Sequence, residues 1–168
     1  MPTPVIPAGW KTYESLDASF TFAYPKDWVK QSESSQGVVI KSGHLELFFD
    51  LIKDTGNEWA GSDKENISLV ATTAADAVKD QFGVVDFNVL EKGIWETSTR
   101  KGWYAVVTYN YKNLLSEDKT PIVMCQIYFQ AGDDALSVGL AKIMSAELER
   151  ADLDTLKTIC DTIVLSAQ

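Results

Sequence analysis

Apolar and polar residues alternate along much of this chain, most clearly at Phe20-Thr-Phe-Ala-Tyr-Pro-Lys-Asp-Trp28. Phe20, Phe22 and Tyr24 fall on one side and Ser19, Thr21 and Ala23 on the other, the period of two expected of a half-buried strand. Pro25 lacks a backbone donor and fixes φ, so the ladder should end or bend there. Lys26 and Asp27 carry the turn, and Trp28 returns a large ring toward the core. Trp10–Tyr13 predicts a short strand before this one. Beyond it, Gln31–Gly37 is polar and rich in breakers, which reads as a turn. Val38–Ile40 resumes the sheet and Ser42-Gly43 makes a tight turn. Leu45, Leu47, Phe49 and Leu51 then alternate with His44, Glu46 and Asp50. The pattern predicts an antiparallel meander with one face buried.

The period then changes. Lys53–Glu65 holds Gly56, Asn57, Gly61, Ser62 and several charges, and reads as the longest loop, with Trp59 either anchoring it or offering a surface contact. Ala71, Ala74, Ala75, Val78 and Phe82 fall at helical spacing, with Gly83 placed as the residue just past the helix end. Thr73 and Asp76 fit the weaker, Asp form of a capping box. Val84–Tyr111 predicts a strand pair with a break near Lys92-Gly93 and a turn at Thr99–Gly102. Its second strand is apolar on both sides: Trp103, Ala105, Val107, Tyr109 and Tyr111 on one, Tyr104, Val106 and Thr108 on the other. Such a strand is expected at the centre of a sheet covered on both faces. Asn113–Thr120 is a polar connection, Pro121 opens a strand through Ile122–Gln130, and Ala131–Asp134 turns into Leu136, Val138 and Leu140. A last helix starts near Ser145 or Asp152, with Leu153, Leu156, Ile159, Cys160 and Ile163 as its apolar stripe. Strands, a helix, strands and a helix in that order predict an α+β fold with an antiparallel sheet.

Composition narrows the function more than the fold. The 168 residues suit one domain, residues 10–168, behind a proline-rich, linker-like start at residues 1–9. That start is either an ordinary frayed terminus or a spacer behind a signal or lipoprotein leader, with the lipid anchor such a leader would bring. A net charge of −9 disfavours nucleic acid and anionic lipid surfaces. No apolar run approaches the roughly 18 residues that cross a bilayer. Cys125 falls in a strand and Cys160 on the stripe of the last helix, so both read as buried free thiols. A disulfide would require that helix to lie over that strand.

The chemistry-bearing residues do not form a recognisable set. His44 is the single histidine, so a histidine metal cluster is excluded, and any Ser-His-Asp or Cys-His arrangement would have to use it. No nucleophile elbow surrounds Ser19, Ser42 or Ser137. Gly37 and Gly43 are not followed by the Lys-Ser/Thr of a phosphate loop, and no dinucleotide fingerprint is present. Glu117, Asp118, Asp133, Asp134, Glu147, Glu149, Asp152 and Asp154 all sit at predicted turns or helix starts, where solvated carboxylates are favoured. Asp50, Asp54, Glu58, Asp63 and Glu65 surround the long loop and could gather a hard cation, without EF-hand spacing. The expectation is therefore no catalytic, cofactor-binding or metal-ligating residue, no cofactor, and no enzyme.

Gly9-Trp-Lys-Thr-Tyr13 followed by Phe20-x-Phe-x-Tyr-Pro-x-x-Trp28 resembles the N-terminal signature of the PsbP-like superfamily, and the Leu153–Ile163 helix is similar to its last helix. That family includes the lumenal extrinsic subunit of photosystem II, its cyanobacterial relatives and many bacterial exported or lipoprotein domains. The resemblance implies an α/β/α sandwich, a central antiparallel sheet with helices on both faces. It also implies a non-enzymatic accessory or binding domain outside the cytoplasm: at a cell surface as a lipoprotein, in the periplasm or in the thylakoid lumen. A protein partner is expected, with no nucleic acid and no direct membrane insertion. A photosystem II extrinsic subunit or assembly factor is the alternative, and Leu45–Leu51 and Lys53–Glu65 show no match to those subunits. A small-ligand carrier, or a hydrolase at the sheet mouth, is a further alternative. It predicts a pocket lined by aromatic residues such as Trp95, Trp103 or Tyr128.

Overall fold

The computed structural model describes residues 3–52, 76–131 and 134–166. In chain order the strands are β1 (Trp10–Glu14), β2 (Phe20–Pro25), β3 (Val29–Glu33), β4 (Gly37–Ser42), β5 (Leu45–Ile52), β6 (Val84–Glu96), β7 (Lys101–Lys112), β8 (Lys119–Ala131), β9 (Asp134–Ile143) and β10 (Val164–Leu165). A helix, α1 (Arg150–Asp161), precedes β10, and a helical turn at 76–79 precedes β6. The strands form two antiparallel sheets. The larger has the order β3-β4-β5-β9-β8-β7-β6 and the smaller β1-β2-β10.

One face of the large sheet carries the core, and its register follows from the alternation. Leu47, Phe49 and Leu51 of β5 stand opposite Leu140, Val138 and Leu136 of β9. Cys125, Ile127 and Phe129 of β8 extend the same face. The small sheet lies over it with Tyr13, Phe20 and Phe22, and α1 adds Leu156, Ile159 and Cys160. The rings of Phe22 and Phe49 stack at 3.7 Å and 2°. Both residues are at most 1 % exposed, so each contributes about 1.5–3 kcal/mol through burial. Thr162 joins the two covering elements: its Oγ1 accepts from the Ala23 amide at 2.8 Å and donates to the Ile159 carbonyl at 2.7 Å. The opposite face has a smaller cluster of Ala105, Val107, Met124 and Ala141, against which Phe48, Val78, Phe87 and Tyr109 pack.

Capping fixes where α1 begins. Glu149 and Asp152 form a capping box, the Asp152 carboxylate accepting from the Glu149 amide at 3.0 Å. Lys142 on β9 reaches the same carboxylate at 3.3 Å. The helix thus starts between the two expected positions, and its stripe is the expected one, with Leu156, Ile159 and Cys160 buried.

The α/β/α sandwich is not formed. Of the described residues 58% lie in strands and 12% in helix, and the architecture is two antiparallel sheets. The reason lies in β1, β2 and β10. These do not extend the large sheet: β1 pairs with β2 from Trp10–Pro25 to Glu14–Thr21, β10 pairs with β2 at Thr21–Val164 and Phe20–Leu165, and this second sheet packs on the core of the large one. The strand Trp103–Tyr111, expected at the centre, is second from the edge as β7. The central place belongs to β9, buried from Asp134 to Ala141. The turn expected at Gln31–Gly37 is shorter, because β3 runs to Glu33 as a fully exposed strand paired with β4. Gly83 takes the left-handed conformation expected of it, with φ +87°. Phe82, however, is 76 % exposed rather than packed on an apolar helix face. The Lys53–Glu65 loop with Trp59, Asp54, Glu58, Asp63 and Glu65, and the expected helix start at Thr73, lie outside the described residues.

Candidate functional site

A groove of about 380 Å³ opens where the β6–β7 end of the large sheet meets α1. The register builds it. Glu91 stands opposite Val106, Gly93 opposite Tyr104 and Trp95 opposite Gly102, so Glu91, Trp95, Tyr104 and Val106 share one face. Gly93 has no side chain, and the Tyr104 ring lies across it: a β-carbon at Gly93 would come within 3.3 Å of Tyr104 Cε1. Trp95 meets Tyr104 edge-to-face, with ring centroids 5.4 Å apart at 74°. Cys125 of β8 and Leu153 and Lys157 of α1 complete the lining, with Ile94 and Glu96 at the rim.

The polar groups here are unevenly satisfied. The Tyr104 hydroxyl donates to the Glu91 carboxylate. Burial, helped by that hydrogen bond and the Glu91 charge, pushes the phenol up to about 12. Glu96 has a cation, Lys101 at 3.3 Å, in an exposed pair of small energetic weight. The indole Nε1 of Trp95 is buried and has no acceptor among the described residues, and the same holds for Nε of Arg100. Arg100 Nη2 donates to the Ile163 carbonyl at 3.2 Å, joining the β6–β7 turn to the chain just past α1. Burial lowers the Arg100 pKa from its ordinary value.

The thiols are inert. Cys125 and Cys160 are free and fully buried, which answers the sequence-level choice in favour of free thiols. Burial, followed by the Glu91 charge, pushes Cys125 up to about 12, and burial raises Cys160 well above its ordinary value. Neither is a thiolate near neutral pH, so neither is a nucleophile there. His44 is exposed at the start of β5, and two strand spacings, roughly 10 Å, separate β5 from β8. No base–nucleophile contact joins His44 to Cys125.

The aromatic pocket expected from Trp95, Trp103 and Tyr128 is not assembled. Trp103 and Tyr128 are cross-strand neighbours on the opposite face from Trp95, and Tyr128 is 4 % exposed. Trp95 instead partners Tyr104, a residue whose role the sequence hides because the period of two does not say which face is covered. Among the expected solvated carboxylates, Asp134 is buried at the start of β9, and Asp133 lies outside the described residues. Asp152 serves the cap described above. Asp50 faces away from the core, opposite Ser137. Among the described residues no group of three or more His, Cys, Asp or Glu side chains gathers to hold a metal ion, and no helix is long and apolar enough to cross a membrane.

These two sheets, with α1 beside the smaller one, define a fold of the PsbP/Mog1 kind. A crystal structure from Bacteroides thetaiotaomicron VPI-5482 superposes with a TM-score of 0.60 at 10% identity, over 95% of this chain and 50% of that one, so this chain spans half of that protein. The Mog1 E65A mutant gives a TM-score of 0.61 at 10% identity, over 93% of this chain and 95% of that one. Cyanobacterial PsbP (CyanoP) from Synechocystis sp. PCC 6803 gives 0.55 at 12% identity, over 96% and 95%. At these identities the likeness is one of fold. No family model matches the sequence, and no curated protein matches it either.

Proposed function

We propose that this protein is a non-catalytic, PsbP-related accessory domain that works outside the cytoplasm by holding another protein at its β6–α1 end. The observation that carries the reading is the groove: an aromatic depression beside a sheet edge that, among the described residues, pairs on one side alone. Leu90 and Ile94 on β6 are 55 % and 42 % exposed beside it, so the apolar surface continues past the groove. The protonated thiols and the distance of His44 favour binding over covalent chemistry. The fold likeness to cyanobacterial PsbP and the Gly9–Trp28 resemblance support the accessory role and the extracytoplasmic location at the level of fold, which many functions share.

A photo-crosslinking residue placed at Ile94 in the native host tests this. It should capture a discrete protein partner, whereas the same residue at Val29 on the opposite sheet edge should not, and the adduct should fractionate outside the cytoplasm. Equal capture at both edges, or capture at neither, would contradict the binding reading. A wholly cytoplasmic protein would contradict the location.

A further inference from the structure

We propose that the partner engages by adding a strand to β6: an extended, basic segment pairs along its free edge and lays one arginine or lysine into the groove against Glu91. This rests on the binding reading above and names the chemistry of the partner. Among the described residues β6 pairs with β7 on one side and with no strand on the other, the arrangement that strand addition uses.

The two edges of the sheet differ. β3 is five residues long, carries Lys30 and Glu33, and is broken by a register shift between Lys30 and Ser32. These features discourage strand addition. β6 is 13 residues long, and its register shifts fall early, between Val85 and Asn88 and between Val89 and Glu91. From Glu91 to Glu96 its pairing with β7 runs unbroken. That stretch adjoins the groove, so alternate side chains of an added strand would enter it while the others meet Ile94.

Charge selects the occupant. The acidic residues of β6 are Asp86, Glu91 and Glu96. Asp86 has Lys119 at 3.1 Å and Glu96 has Lys101 at 3.3 Å. Glu91 has the Tyr104 hydroxyl and no cation among the described residues. An unneutralised carboxylate beside the Tyr104 and Trp95 rings suits a guanidinium or ammonium, which gains a charge-assisted hydrogen bond and an aromatic face together. Lys157, the cation lining the groove, is exposed on a flexible stem and can turn to solvent. A second copy of this chain is a poor occupant, because it would set one net charge of −9 against another.

The test uses the full chain and three capped octapeptides: one alternating Arg with Val, one alternating Glu with Val, and the Arg–Val peptide N-methylated at alternate backbone nitrogens. The Arg–Val peptide should bind and slow amide exchange in β6 over Glu91–Glu96. The Glu–Val and N-methylated peptides should bind at least about tenfold more weakly, since one repels Glu91 and the other cannot form the ladder. Glu91→Gln should weaken the Arg–Val peptide about fivefold and leave the thermal midpoint unchanged. Equal binding by the Glu–Val peptide, indifference to N-methylation, protection mapped to β3, or self-association through β6 in sedimentation would each overturn the proposal. If the crosslinker at Ile94 captures a partner while the Arg–Val peptide leaves β6 exchange unchanged, strand addition is wrong and the binding reading stands. If neither occurs, both fall.

Discussion

The centre of the large sheet and its β6 edge are treated in opposite ways. At β5 and β9, every core-facing side chain from Leu47 to Leu51 and from Leu136 to Leu140 is at most 4 % exposed, because the small sheet and α1 lie on top. At β6 the sheet continues past that cover, and Leu90, Glu91, Lys92 and Ile94 stand in solvent. The difference shows what each region can do. The covered centre is closely packed, and burial of its side chains stabilises the fold. Among the described residues the β6 edge pairs with β7 alone and leaves several of its side chains in solvent.

The sharpest way to break this contrast is to remove one large apolar side chain from each region. Phe22→Ala takes away the stack on Phe49 and should cost about 3–5 kcal/mol in urea unfolding. Leu90→Ala should stay within about 0.5 kcal/mol. Comparable losses would mean that β6 is part of the core. The glycines give a second contrast. A β-carbon at Gly37 would meet the Phe49 carbonyl at 2.2 Å, so Gly37→Ala must move backbone and should cost about 1–3 kcal/mol. At Gly93 the neighbour is the Tyr104 ring at 3.3 Å, which can shift into the groove, so Gly93→Ala should cost less than about 1 kcal/mol.

Alkaline titration reads the buried protons of both regions. Burial lifts Cys125 from 9.0 to about 12 and Tyr13 from 10.0 to about 12. The protonated forms are the ones the fold favours. Their stabilisation is fully present below those ordinary values and is lost as pH rises toward 12. Urea midpoints should therefore hold to about pH 9 and then fall. Burial is the first cause of the rise at both tyrosines, followed by the hydrogen bond to Glu91 at Tyr104 and to Glu33 at Tyr13. Glu91→Gln should lower the Tyr104 titration toward 10.0 by ultraviolet absorbance and leave Tyr13 where it is. This is the smallest of the expected effects.

Local pattern was enough for much of the fold. Phe20, Phe22 and Tyr24 announce β2, Leu45–Leu51 announces β5, and Leu153–Ile163 announces the buried stripe of α1, because in each the large apolar side chains recur on one packed face. β3 was hidden because a wholly exposed strand, Val29–Glu33, has no apolar side to alternate. The second sheet was hidden because β2 pairs with β10, at Thr21 and Val164, across most of the chain, and the period of two does not encode a partner. β7 misled for a physical reason. Tyr104 and Val106 are apolar like a covered face, yet they are only partly buried against the core and line a groove, and hydrophobicity alone does not tell a fully covered face from a partly covered one. The groove itself was illegible, since it brings Trp95, Tyr104 and Leu153 together from three elements.

The central claim is that the sheet has a packed centre at β9 and an open edge at β6, and native-state hydrogen exchange measures that directly. The amides of β9 should exchange only on global unfolding. Those of β6 over Glu91–Glu96 that are not bonded to β7 should exchange at least about a hundredfold faster. Protection of β6 within about tenfold of β9, amide for amide, would contradict the account.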